Sequence, residues 1–193
     1  MPKPQEMEKC LNFMKSRGRT NLILDLRTNG GGYLTVCQEL ATYFMRNATG
    51  SRPIVSTARF KSGRETIYRA TGNRFSEFFE EDARIYVLAD ENTASASEML
   101  IGAMVTYGTT PFSDIYLREE NGVARSYGKG IMQQHYADSF GNVLKLTTAE
   151  IFWPDDTSIH GVGVTPADGA QAIAAPLLPG AEDIFLTQLM ERL

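Results

Sequence analysis

R-I-Y-V-L-A-D-E-N-T-A-S-A-S-E, residues 84–98, decides the fold of this chain. Residues 84–89 are a short, largely apolar run, the pattern of a strand buried on both faces. A turn follows, and from Ser95 the sequence reads as a helix to about Tyr107. The same design stands upstream. Residues 21–26 (N-L-I-L-D-L) form a second buried strand, residues 28–32 (T-N-G-G-G) a glycine loop, and residues 35–45 a helix that Thr35 and Gln38 open with a capping-box pattern. Two strand–loop–helix units imply a sheet with helices packed on it.

The remaining segments fit around those units. Met7, Cys10, Leu11 and Met14 recur at helical spacing within residues 6–17, and Gly18 supplies a stop. Residues 54–60 and 65–70 alternate around a turn and predict a hairpin; residues 75–82 are acidic and aromatic, a short helix or surface loop. Residues 115–119 and 123–127 flank another turn, residues 143–153 are strand-like, and residues 158–164 form a closing segment. Pro176, Pro179 and Gly180 interrupt the chain before a last helix over residues 182–193. The pattern predicts a mixed α/β fold, with residues 1–193 as one domain without repeat or linker.

With 193 residues, 42% of them hydrophobic and 22% charged, the chain has the make-up of a globular domain large enough to need no staples. A net charge of −4 with no Lys/Arg block gives no reason to expect nucleic acid. Cys10 and Cys37 fall in apolar-periodic stretches and read as small core residues. The two histidines, His135 and His160, stand in no ligand spacing, so neither a metal nor another cofactor is expected. No apolar run approaches the ~20 residues of a membrane span. Residues 1–5 do not resemble a signal peptide; a leader for export would have been removed or lie outside this sequence.

Two segments carry chemistry: T-A-S-A-S-E at residues 93–98 and Y-G-K-G-I-M-Q at residues 127–133. A serine becomes a nucleophile when a neighbouring base takes its proton, and a neutral lysine can serve. Each segment also has an ordinary reading. Ser95 and Glu98 make a capping box for the helix, and Lys129 alone is a surface charge. The hydroxyl of Ser95 cannot cap the helix and attack a carbonyl in one geometry, so a catalytic Ser95 leaves Ser97 or solvent to serve the helix end. Tyr127, Ile131 and Met132 are the neighbours available to bury the amine of Lys129, and burial is what neutralises a lysine. Gln133 is suited to orient that amine without adding charge. Since residues four apart on a straight strand are about 13 Å apart, their direct contact needs a turn or bulge. The triplet Gly30–Gly31–Gly32 is either a tight turn or a place where backbone N–H groups approach a substrate carbonyl.

Other motifs fail. Gly122 and the G-K-G around Lys129 have the wrong spacing for a phosphate loop and lack the following Ser/Thr; Gly161–Val162–Gly163 lacks the third glycine of a dinucleotide site. A serine–histidine–acid site would have to use His135 or His160, neither of which stands in a recognisable motif.

D-L-R-T-N-G-G-G (residues 25–32), T-A-S-A-S-E and Y-G-K-G-I-M-Q, in that order, resemble the carboxyl-terminal processing proteases, also called tail-specific proteases, of peptidase family S41. P-D-D-T-S-I-H-G-V-G-V-T-P (residues 154–166) is similar to the family's closing strand segment, so the likeness runs from about residue 7 to residue 170. The resemblance implies a core like those of Clp protease and crotonase, with Ser95 as nucleophile, Lys129 as general base and then acid, and Gln133 positioning Lys129. It implies an oxyanion hole from the amides of Ala96 and Gly32, with Gly31 the alternative, and Asp25, Arg27 and Glu98 as supporting polar residues. Its substrates are polypeptides bound through an apolar C-terminal tail; it implies work outside the cytoplasm, in the periplasm or cell envelope, and leaves room for a homo-oligomer. The sequence departs from the family in four ways: it has no room for the PDZ module that captures tails, the Ser95-to-Lys129 interval is long, with residues 117–126 as an extra hairpin that would reshape or cover the site, Tyr127 replaces a usual Phe, and Pro166–Ala167–Asp168 replaces a Pro-Asp ending. The alternatives on the same fold are a non-catalytic module for hydrophobic ligands or peptides and, with no CoA phosphate site in evidence, an acyl-CoA enzyme.

Overall fold

A computed structural model describes residues 1, 3–175 and 183–192. The first strand–helix unit is β1 (Leu22–Asp25) and α2 (Leu34–Ala41), preceded by α1 (Pro4–Ser16); the second is β4 (Ile85–Ala89) and α4 (Ala96–Thr106). β4 is buried at all five positions, and nine consecutive residues of α4, from Ala96 to Met104, are buried as well. A helix apolar all round belongs in the middle of a domain, and α4 packs against α2 on one side and β2 (Ile54–Phe60) on another. Gly102 is what allows this: a Cβ there would stand 2.2 Å from the indole of Trp153, so the ring lies directly on the helix backbone.

Two sheets enclose the core. In one, β1 pairs in parallel with β4, β4 with β5 (Ile115–Glu120), and β5 with β9 (Gln171–Ala174), while β6 (Val123–Ala124) joins β5 antiparallel. The other is antiparallel, in the order β3 (Glu65–Arg69), β2, β8 (Val143–Phe152), β7 (Ile131–Ala137), with a register shift between Met132 and Gln133. Short α3 (Phe75–Phe78) lies between the β2–β3 hairpin and β4, and α5 (Ile184–Met190) packs on β9. Among the described residues no helix is long and apolar enough to cross a membrane.

The mixed α/β architecture is the expected one, and several details differ. α2 opens one residue before Thr35, with Tyr33 at the cap, and ends at Ala41, because Thr42, Tyr43, Phe44 and Met45 leave the helix to enter the core. Cys37 is buried as expected but Cys10 is exposed. The closing segment, residues 158–164, is a loop without strand pairing. The strand expected over residues 123–127 stops at Ala124. Residues 117–126 do form a hairpin, β5 turning into β6 with Glu119 opposite Ala124, but it does not cover the site: none of the ten lines the cleft described below. The break at Pro176, Pro179 and Gly180, and both ends of the expected final helix, lie outside the described residues.

Candidate active site

Parallel pairing of β1 with β4, with Asp25 opposite Leu88, brings the carboxyl ends of the two strands side by side. The loops that follow are therefore neighbours, at the end of a parallel sheet where ligands bind. They are locked together by polar contacts. The carbonyl of Asn29 accepts from Ala94 N–H at 3.1 Å and from the Ser97 hydroxyl at 3.0 Å. Asp90, fully buried, accepts from Thr28 N–H at 2.9 Å and Asn92 N–H at 3.0 Å and forms a buried ion pair with Arg118. The Thr93 hydroxyl donates to the Leu26 carbonyl at 2.7 Å. Gly31 closes the seam: a Cβ on it would stand 2.7 Å from Ala94 O, 2.8 Å from Ala96 N and 2.9 Å from the Ser95 Cβ. Only a glycine fits, both for space and for its φ of +97°.

Ser95 has φ 57° and ψ −119°, a conformation that side-chain-bearing residues avoid. This sharp strand-to-helix turn projects the side chain at the mouth of the helix, as nucleophile elbows do. The expected capping box with Glu98 is present but unequal. The Glu98 carboxylate accepts from Ser95 N–H at 2.9 Å, whereas the Ser95 hydroxyl faces the helix end without closing a capping hydrogen bond. Its oxygen is thus left for another partner. Ser97 does not take over the cap, since its hydroxyl is committed to Asn29. The amide of Ala96, in the first turn of α4, donates to no group among the described residues.

Glu98 joins the two chemical segments. Wholly buried, its carboxylate also accepts from the Ser126 hydroxyl at 2.6 Å, Gly128 N–H at 2.7 Å and Lys129 N–H at 2.9 Å. A buried carboxylate is costly unless hydrogen bonds surround it, and here four donors do so. The segment is held from behind as well: Tyr127 N–H donates to Thr93 O at 2.9 Å, and Gly161 N–H to Gly128 O at 2.8 Å. The glycines flanking Lys129 serve this docking, because a Cβ on Gly128 would meet Gly163 N at 2.8 Å and one on Gly130 would meet His160 N at 2.9 Å.

Ser95, Lys129, Gln133 and Gly32 all line one open cleft of about 470 Å³, walled by residues 32–35 and Met99 on one side and by β7 on the other. Lys129 is half-buried; Tyr127, expected to help bury it, is 54% exposed and turned away. The register shift at Met132/Gln133 places its extra residue, Thr148, in β8, so it does not bend the chain between Lys129 and Gln133, and no hydrogen bond joins their side chains. Asp25 and Arg27 are not brought to the cleft. Arg27 donates to both oxygens of Asp25 and of Asp183, at distances down to 2.6 Å, and lies over the Phe185 ring. That pairing depresses Asp183 to about 2 and raises the Arg27 guanidinium further, so the cluster fastens α5 to the sheet. His135 also lines the cleft, and His160 sits behind Gly130. Burial pushes the Cys37 thiol up to about 12, which leaves it inert beside the site. Among the described residues no group of three or more His, Cys, Asp or Glu is placed to hold a metal ion. Asp90 and Ser126 escaped the sequence reading; the D-x-N-T turn at residues 90–93 is the signal that pointed to the first.

Residues 1–168 match the model of peptidase family S41. The chain belongs to that family. A "Probable CtpA-like serine protease" of Staphylococcus haemolyticus is 30% identical over 161 residues, covering 83% of this chain and 29% of the relative. A protein of the same name from Staphylococcus epidermidis is 28% identical over the same length, covering 83% of this chain and 30% of the relative. The chain thus spans under a third of the length of these curated S41 relatives. Among solved structures, a photosystem II D1 C-terminal processing protease superposes with a TM-score of 0.70 at 26% identity, covering 95% of this chain and 42% of that one.

Proposed function

We propose that this S41 chain carries the catalytic core of a serine endopeptidase working through a Ser95–Lys129 pair. The observation that supports it most is the elbow at Ser95, a strained φ of 57° on the residue whose helix shares the Glu98 carboxylate with the backbone of Lys129. Strain of this kind costs about 1–3 kcal/mol and persists where the surroundings over-determine it. The hydrogen bonds of Glu98 and the close contact of Gly31 supply that constraint.

In the reaction, the neutral Lys129 amine takes the Ser95 proton as the serine oxygen attacks the scissile carbonyl. The carbonyl oxygen becomes an oxyanion facing the free Ala96 amide and the amide of Gly32. The Lys129 ammonium then gives its proton to the departing amine as the C–N bond breaks, leaving an ester on Ser95. Water, deprotonated by Lys129, hydrolyses the ester and restores the hydroxyl. Gln133, on the same wall, orients the amine. The substrate is a polypeptide presented by an apolar C-terminal tail, encountered outside the cytoplasm.

The test is incubation with an unstructured protein ending in apolar residues. Ser95→Ala and Lys129→Ala each abolish cleavage, by at least about 10³-fold. Cleavage that persists in either variant overturns the assignment.

A further inference from the structure

The cleft continues past the reacting groups, and its far end has a character of its own. Residues 131–135 line it without a gap. A strand presenting one face contributes every second side chain; five in succession mean that the cleft runs along the edge of β7. Among the described residues that edge is free, because β7 is the outermost strand of its sheet and pairs only with β8. Unpaired strand edges accept an extended peptide as an additional strand.

Charge says which peptide. Among the described residues no aspartate or glutamate lines the cleft. Two basic residues, His135 and Lys145, stand directly opposite one another on β7 and β8, exposed and both lining it. Neither has a hydrogen-bonding or ion-pair partner among the described residues. A lysine ammonium and an imidazole N–H side by side are both hydrogen-bond donors, and a carboxylate is the side chain that accepts from both.

Resting on the assignment of Ser95 and Lys129 as the reacting pair, we propose that the edge of β7 takes the substrate as an added strand, and that Lys145 with His135 recognises an acidic side chain of that strand. Six residues separate Lys129 from His135, so at ~3.3 Å per residue the recognised carboxylate lies about 20 Å, or six residues, from the scissile bond. It belongs to an internal Asp or Glu. β7 runs on past His135 to Ala137, which leaves the edge open there, whereas a chain-terminal carboxylate is captured by converging N–H groups that a strand edge does not offer.

Peptides differing only in Asp, Asn or Lys six residues to either side of the cleaved bond test this, with a further peptide ending there in a free carboxylate. The expected result is a kcat/KM about three- to fivefold higher for Asp than for Asn on one side, lost at 1 M salt, and a preference for Lys over Asp in Lys145→Glu. Equal kcat/KM for Asp and Asn, with cleavage still dependent on Ser95, overturns the inference while the catalytic assignment stands. A preference confined to the free-carboxylate peptide overturns it too. If no peptide is cleaved by way of Ser95, the catalytic assignment fails, and fluorescence anisotropy with Ser95→Ala decides the inference alone: an Asp peptide binding about threefold tighter than its Asn twin supports it, equal affinity overturns it.

Discussion

The two walls of the cleft are built in opposite ways. Ser95 and the glycine loop rest on β4 and α4, where nearly every residue is buried and the geometry of Ser95 is set by the core. Lys129 and Gln133 stand at the root of the β7–β8 hairpin, whose outer part is exposed at Tyr136, Val143, Leu144 and Leu146. One wall is fixed by packing together with hydrogen bonds, the other mainly by hydrogen bonds. On the proposed assignment, the difference teaches that the alignment of serine with lysine depends on few groups, and Glu98 is the main one.

The comparison breaks most severely at Gly31. Gly31→Ala sets a methyl group 2.8 Å from the Ala96 amide and forces an unfavourable φ, so kcat is expected to fall by about 10²–10³-fold; a variant of wild-type activity would show that this amide is no oxyanion donor. Glu98→Gln comes next. An amide has one acceptor oxygen and cannot serve all four donors, so stability should drop by about 1–3 kcal/mol in urea titrations. Activity measured where the variant is still folded should also fall, by about tenfold or more, as Lys129 loses its anchor.

A change confined to the packed wall should do the reverse. Gly102→Ala drives a methyl group into the Trp153 ring, and a loss of about 1–3 kcal/mol is expected with kcat/KM for the folded fraction held within about twofold. The smallest effect belongs to Asp183. Its carboxyl is held low by Arg27, so the ion pair stabilises fully above the ordinary carboxylate range, near pH 4, and is lost as pH falls toward about 2. With the side chain 42% exposed, the contribution is under about 1 kcal/mol. Asp183→Asn should therefore leave activity unchanged and remove only the acid-dependent step in the thermal unfolding of α5.

How legible this was in the sequence follows the same division. The strand at residues 85–89 announces itself by an unbroken apolar run and that at residues 22–25 by L-I-L before Asp25, although only Leu24 of β1 is buried, and the elements leading from them set the glycine loop beside Ser95. β7 did not: I-M-Q-Q-H-Y-A lacks alternation, and it is a strand because β8 pairs with it. β9, at four residues, is too short to carry a pattern. At the site, Glu98 was visible as a capping residue, but its bonds to Ser126, Gly128 and Lys129 span about thirty residues and leave no local trace. Asp25 and Arg27 were expected near the chemistry only through the family resemblance; in the fold they pair with each other and with Asp183 at the start of α5.

The four-way bonding of Glu98 also bears on how such a chain survives its own synthesis. A helix over residues 96–106 forms from local sequence, but its Glu98 is without three of its donors until residues 126–129 have docked. Until then the serine and the lysine belong to separate segments. On the proposed Ser95–Lys129 assignment, hydrolysis would therefore wait for the finished fold, and a nascent or unfolded copy would have no means of digesting its siblings.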